Sequence, residues 1–273
     1  MARLMHDDVT TTRALHDAER AASAAGVEVR ELADVGEQGD AIDLLSRIWK
    51  RTAENPAVPP ELLRALSKAG SYVGGAFADG SLVGVAIAFH ADPERHALHS
   101  HITGISTELI GRSVGFALKQ HQRAWALGRG IDAIEWTFDP LVARNAHFNL
   151  TKLGARPQEY LANFYGAISD GVNSDDETDR LLVNWPLRDA AVAARAGGTP
   201  AVAERRRAGD ECVPVPPDIE AIRRDDPAQA RRWRLQVRDQ LMALLDAGYR
   251  IVGFDRADGY VVRPLTGHGE DRS

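Results

Sequence analysis

The segment Arg112-Ser-Val-Gly115-Phe-Ala117 sets an arginine, a glycine and an alanine at R-x-x-G-x-A spacing, just ahead of a helical pattern. The chemistry of such a turn is anion binding. A helix start leaves backbone N–H groups without acceptors, and the helix dipole adds partial positive charge there. Small side chains at Gly111, Gly115 and Ala117 would let a phosphate reach those amides, and Arg112 would add a charge-assisted bond. A second set of reactive groups lies on extended segments. Alternation places His99 and His101 on one strand face, near His96. Two strand histidines without a third ligand do not make a metal site, so no metal is expected. In Ala-Ile-Glu135-Trp-Thr-Phe-Asp139, Ile134, Trp136 and Phe138 share one face while Glu135, Thr137 and Asp139 share the other. Burial there would raise a carboxyl pKa toward neutrality, the range useful to a general base. Asp139-Pro140 ends that strand and can cap the turn that follows.

The elements that must position these groups follow from periodicity. Residues 11–25 read as an Ala-rich helix, 27–32 as a strand, 41–50 and 61–70 as helices separated by a proline-rich break. Two β-rich runs flank Asp79-Gly80, a dipeptide that favours a tight hairpin turn, and 98–105 continues the antiparallel meander. The pattern then alternates: helix 111–129, strand 133–138, helix 144–153, strand 159–165 and strand 181–185. On the first of those helices Val114, Ala117, Leu118, His121, Ala124 and Trp125 share one face. A meander followed by β-α-β-α-β is a mixed α/β (α+β) sheet covered by helices. Residues 188–226 read as a partly mobile connector with one short helix. A helix with Ala230, Trp233, Val237, Leu241 and Leu244 in one stripe and a hairpin then follow as a C-terminal extension. The organisation expected is an N-terminal helical segment over 1–26, a main domain over 27–187, the connector, and the extension over 227–265.

With 273 residues the chain buries enough apolar surface to fold without disulfides, and its single cysteine, Cys212, fits a reducing compartment. No apolar run approaches membrane-spanning length, and the N-terminus has the features of neither a signal nor a transit peptide. The expected location is therefore the cytoplasm, with no membrane partner. A net charge of -6 argues against nucleic acid as the main partner. The arginine-rich stretches 204–207 and 230–238, interleaved with Asp225, Asp226 and Asp239, read instead as a solvated face or subunit contact. Dimerisation through the C-terminal helix and hairpin is expected from their uncovered apolar face.

The order strand, R-x-x-G-x-A loop, helix, strand, then Arg144-Asn-Ala-His-Phe-Asn-Leu-Thr-Lys-Leu-Gly-Ala155 resembles the GNAT superfamily of acetyl-CoA-dependent N-acetyltransferases. The resemblance covers about 27–187 and is strongest over 104–155. The run from Glu135 to Ala155, with Asn163-Phe-Tyr-Gly166, is similar to a bacterial GNAT-like subgroup. The resemblance implies a GNAT-like fold, acetyl-CoA or another acyl-CoA as co-substrate, and a small-molecule or peptide amine as acceptor. It implies that Gly104, Ile105 and Ser106 offer backbone groups to the pantetheine arm. Gly111, Arg112, Ser113, Val114, Gly115, Phe116 and Ala117 would hold the pyrophosphate, with Asn145 and Asn149 near the pantetheine and acyl end.

The chain also departs from the family. Many members carry a tyrosine general acid in the late helix, at the place filled here by Leu150. Leucine cannot donate a proton, which brings Tyr160 and Tyr165 forward as replacement acids. Glu135, His101 and Asp139 are the candidate bases for an ammonium acceptor. The expected activity is acyl transfer to an amine by direct attack. The alternatives are decarboxylation or hydrolysis of an acyl-CoA, and non-enzymatic acyl-CoA binding.

Overall fold

The computed structural model describes residues 2–166, 176–201 and 204–265, with side chains from residue 9 onward. Its seven-stranded sheet has the order β1-β2-β3-β4-β5-β7-β6, and a second sheet has the order β8-β10-β9. Two compact units result, one holding residues up to 136 with 184–199, the other 137–166, 176–183 and the described residues from 200.

The first unit opens with α1 (Ala2–Ala25), β1 (Glu28–Glu31), α2 (Val35–Ile48) and α3 (Pro60–Lys68). Asp34 caps α2 by accepting from Gly36 N and Glu37 N. The hairpin β2 (Tyr72–Ala78) and β3 (Ser81–His90) turns through Asp79 and Gly80, both at positive φ, the pattern of a type I′ turn. Strand β4 (Ala97–Ile105) pairs antiparallel with β3 and carries an irregularity opposite Ile87/Ala88. Helix α4 (Val114–Leu127) then leads to β5 (Ala133–Phe138), which pairs parallel with β4. On one face of the meander Leu44, Leu45 and Leu63 from α2 and α3 pack on Val73, Val85 and Ile87. Helix α4 presses Val114, Ala117, Leu118, Ala124 and Trp125 inward, as its periodicity predicts. Lys119, Gln120, Gln122 and Arg123 are buried as well, so α4 is enclosed nearly all round, with α1 against it. Helix α6 (Ala190–Ala196), capped by Asp189, completes this unit.

In the second unit α5 (Ala143–Ala146) widens into π-type turns over His147–Leu153, ending at Gly154 with φ 79°. Strand β6 (Arg156–Leu161) follows, and β7 (Arg180–Pro186) runs from this unit into the first. The expected strand 159–165 is corrected here: Asn163 takes φ 45°, which turns the chain, and Phe164 and Tyr165 lie in that turn. The expected connector also proves more ordered. Besides α6 it holds β8 (Glu211–Val213), paired with β10, and α7 (Ile219–Asp225), capped by Asp218. Helix α8 (Pro227–Asp246) and the hairpin β9 (Tyr249–Asp255) and β10 (Gly259–Pro264) form as expected. The buried stripe of α8 is Ala230, Arg234, Val237 and Leu241, with Arg234 as central as the aliphatic residues.

Candidate active site

The turn before α4 has the features of an anion site. Gly111 has φ 88° and Ser113 has φ 65°, so the chain twists twice through the left-handed region before the helix begins. No side chain caps the helix at Ser113. Among the described residues, the N–H groups of Val114 and Gly115 have no acceptor. Arg112 is exposed beside them. A Cβ at Gly115 would stand 2.8 Å from Ile105 Cδ1, so a side chain there would displace the tip of Ile105 where the first turn of α4 meets the end of β4. The side chains of Val114 and Ala117 face the core, as the helical pattern predicts, and Phe116 is half-buried.

Strand β4 is only partly available to a ligand. Gly104 is buried, and a Cβ there would lie 2.6 Å from Leu45 Cδ2 of α2. Its bareness therefore serves the helix on that face. Ser106 N already donates to Val83 O at 2.8 Å, and Ser106 Oγ donates to Glu108, so its amide is not open to a pantetheine arm. The useful opening is on the other edge of β4. The β4–β5 ladder joins Ala97, Leu98 and His99 to Ala133, Ile134 and Glu135 and goes no further, leaving β4 from Ser100 to Ile105 outside it.

Titratable groups gather where that ladder ends. His99 is the register partner of Glu135, which puts both on one face of adjacent strands. His99 stacks on Phe89 at 5.2 Å between ring centroids, and His101 lies 5.8 Å from Phe89 and 6.1 Å from His99. Burial lowers the pKa of both histidines, and for His99 the neighbouring His101, Lys119 and Arg95 add to the effect. Both rings are therefore neutral at neutral pH. His101 is the exposed one of the pair. Glu135 is buried, as its strand position suggested, and ion-paired with Arg95. Arg144, further along the chain, pairs with Glu220. Arg95 and His99 were not singled out as site residues from the sequence. The signal for His99 was its alternation with His101; nothing local marks Arg95, which arrives from the turn before β4.

The second unit holds the remaining predicted residues. Asn145 is half-buried. Asn149 is buried within the π-type turns, and its side-chain amide has no partner among the described residues. Leu150 beside it is buried. Tyr160 is corrected as a candidate acid: its hydroxyl donates to Asp179 at 2.6 Å. Burial and the Asp179 carboxylate push its pKa far above the phenol range, so the proton is held rather than offered. Tyr165 is exposed, edge-on to Phe164, with its hydroxyl 3.4 Å from Thr137 Oγ1 and its ring 5.2 Å from the Arg180 guanidinium.

Of the arginines read from sequence as a solvated face or subunit contact, Arg205, Arg206, Arg207, Arg231 and Arg232 are exposed, while Arg234 and Arg238 join Arg223 in an ion-pair core. Asp139 accepts from Leu141 N, the expected turn cap, and is also gripped by Arg234 at 2.8 and 3.0 Å and by Arg223 at 2.5 Å. Burial alone would raise the Asp139 pKa, but the two guanidiniums outweigh it and hold the group well below the carboxylate range. Asp176 accepts from Arg234 at 2.9 Å, and Arg238 binds Asp179 and Glu177.

No family model and no curated protein matches the chain. Solved structures similar to it include the ribosomal-protein-S18-alanine N-acetyltransferase from Escherichia coli, at 14% identity and TM-score 0.48, covering 60% of this chain and 96% of that one. An N-acetyltransferase from Staphylococcus aureus gives 13% identity and TM-score 0.49, covering 59% and 99%. The phosphinothricin acetyltransferase of the GNAT superfamily from Sinorhizobium meliloti, in complex with AcCoA, gives 14% and 0.49, covering 59% and 88%. Likeness at this level assigns neither donor nor acceptor. Among the described residues no helix is long and apolar enough to cross a membrane, and no group of three His, Cys, Asp or Glu is placed to hold a metal ion.

Proposed function

We propose that the protein is a GNAT-type acyltransferase that moves an acetyl or other acyl group from coenzyme A to an amine. One observation carries the reading: a helix start with unbonded amides at Val114 and Gly115 follows directly on a strand whose ladder with β5 stops at His99 and Glu135. The first feature suits a diphosphate and the second a thioester arm laid along the open edge of β4. Gly111, Arg112, Val114 and Gly115 would bind the diphosphate. His101, exposed and neutral, would take the proton of the incoming ammonium, with His99 and Phe89 holding its ring. Glu135, paired with Arg95, would then orient rather than act as the base. The amine nitrogen attacks the thioester carbon, the C–S bond breaks, and the second proton shed by the nitrogen passes to the departing sulfur, which leaves as the free thiol. Positioning supplies most of the rate.

The test is release of free thiol from acetyl-CoA with and without a panel of amines. Release that depends on the amine is expected; amine-independent release, or none, would overturn the transferase reading. Arg112→Ala should weaken coenzyme A binding roughly tenfold, since one charge-assisted bond is lost, and leave the fold intact. For wild type the acid limb of the rate profile should lie below pH 6.5, because the His101 pKa is lowered. His101→Gln should lose that limb together with most of the rate.

A further inference from the structure

Helix α4 buries a lysine that no carboxylate answers. Lys119 Nζ donates to Ser100 Oγ at 2.8 Å and to Gln122 Oε1 at 3.1 Å, and lies 4.0 Å over the Trp136 ring. All its hydrogen-bonding partners are neutral, and among the described residues it makes no ion pair. An ammonium carries three protons, so the third has no acceptor. Gln122 Nε2, on the same helix, is a second buried donor with no partner. Gln120, whose Oε1 is also unbonded, projects about 100° round the helix from Lys119 and does not answer either donor.

The place of these donors gives them meaning. Ser100 and Trp136 are the residues immediately after His99 and Glu135, the last pair of the β4–β5 ladder. Lys119 bonds the first and covers the second, so its ammonium sits on the α4 side of the point where the ladder ends. On the proposed reading this is the deep end of the channel, where the acyl group of the thioester would terminate.

We propose that Lys119 and Gln122 form the blind end of the acyl channel and recognise an acyl group that ends in a carboxylate, as in a malonyl or succinyl thioester. The inference rests on the acyl-CoA reading above. A carboxylate supplies the counter-charge a buried ammonium lacks and accepts from both unmet donors, whereas an acetyl methyl satisfies neither. Burial brings the Lys119 pKa down to about 7, so the free protein holds it largely neutral in mildly alkaline solution. A bound carboxylate would restore the charge.

The experiment titrates coenzyme A, acetyl-CoA and succinyl-CoA into wild type and Lys119→Met, following affinity and, by calorimetry in two buffers at pH 8, proton uptake. In wild type, succinyl-CoA should bind about 10- to 100-fold tighter than acetyl-CoA and take up about one proton. Lys119→Met should bind coenzyme A and acetyl-CoA as wild type does, with the preference and the proton uptake gone. If coenzyme A binds but wild type shows neither preference nor proton uptake, or the variant keeps the preference, this inference is overturned and the acyl-CoA reading stands. If coenzyme A itself does not bind wild type, both fall. Should the variant fail to fold, proton uptake by wild type still decides.

Discussion

The second unit matches its buried charge, and the first does so only in part, pairing Glu135 with Arg95 and Asp17 with Arg123. In the second, Asp139, Asp176, Asp179, Arg223, Arg234 and Arg238 are matched guanidinium to carboxylate. In the first, Lys119 is buried among neutral partners, His99 and His101 are held uncharged, and the amides opening α4 are left unbonded. Matched charge gives geometric specificity and is costly to break. Unmatched polar groups weaken the fold where they stand, and their retention marks a place where something else is to be bound. Buried arginines thus fasten the second unit, whereas the buried lysine of the first has only neutral partners.

The comparison can be broken most forcefully at Asp139. Asp139→Ala strands Arg223 and Arg234 without their shared carboxylate and should cost about 3–5 kcal/mol, read by chemical denaturation. A loss below about 1 kcal/mol would show that the ion-pair core is not a fastener. Lys119 should behave in the opposite sense. Its pKa is lowered on folding, so the unfolded chain binds more protons between the folded value near 7 and the ordinary lysine value. Stability should therefore rise with pH across that window, by up to about 1.4 kcal/mol per pH unit, and be lost as pH falls toward 7. Lys119→Met should be more stable than wild type at pH 7 and lack that slope; an unchanged slope would mean the lysine is already charge-compensated. The smallest effect is expected at Tyr160. Tyr160→Phe removes one hydrogen bond from Asp179, which keeps Arg238 and Asn163 N, and should cost about 1 kcal/mol in thermal unfolding.

Local pattern accounts for much of the first unit. Asp79-Gly80 predicted its hairpin because few other residue pairs accept positive φ twice in succession. The alternation of Ala-Ile-Glu-Trp-Thr-Phe located β5 and the buried position of Glu135, and the small-residue spacing at 111–117 located the turn before α4. Where two requirements met at one residue, the sequence was ambiguous. Gly115 read as room for a phosphate and Gly104 as a backbone contact for a pantetheine arm, yet a Cβ at either would meet Ile105 or Leu45. Tyr165 read as a strand residue because its β-propensity outweighed the turn signal of the preceding asparagine.

By itself the sequence determined the order of most elements, the hairpins, the amphipathic face of α4 and the place of the turn before it, because each depends on neighbours a few residues apart. Tertiary structure decided which charges meet. Asp139 and Arg234 are 95 residues apart, and the stretch holding Arg234 reads as solvated until the carboxylate just after β5 meets it. The solitude of Lys119 was equally unreadable, since the absence of a partner is a property of everything folded around it. Electrostatic pairing depends on distance in space and on lost water, and neither is written in the local order of residues.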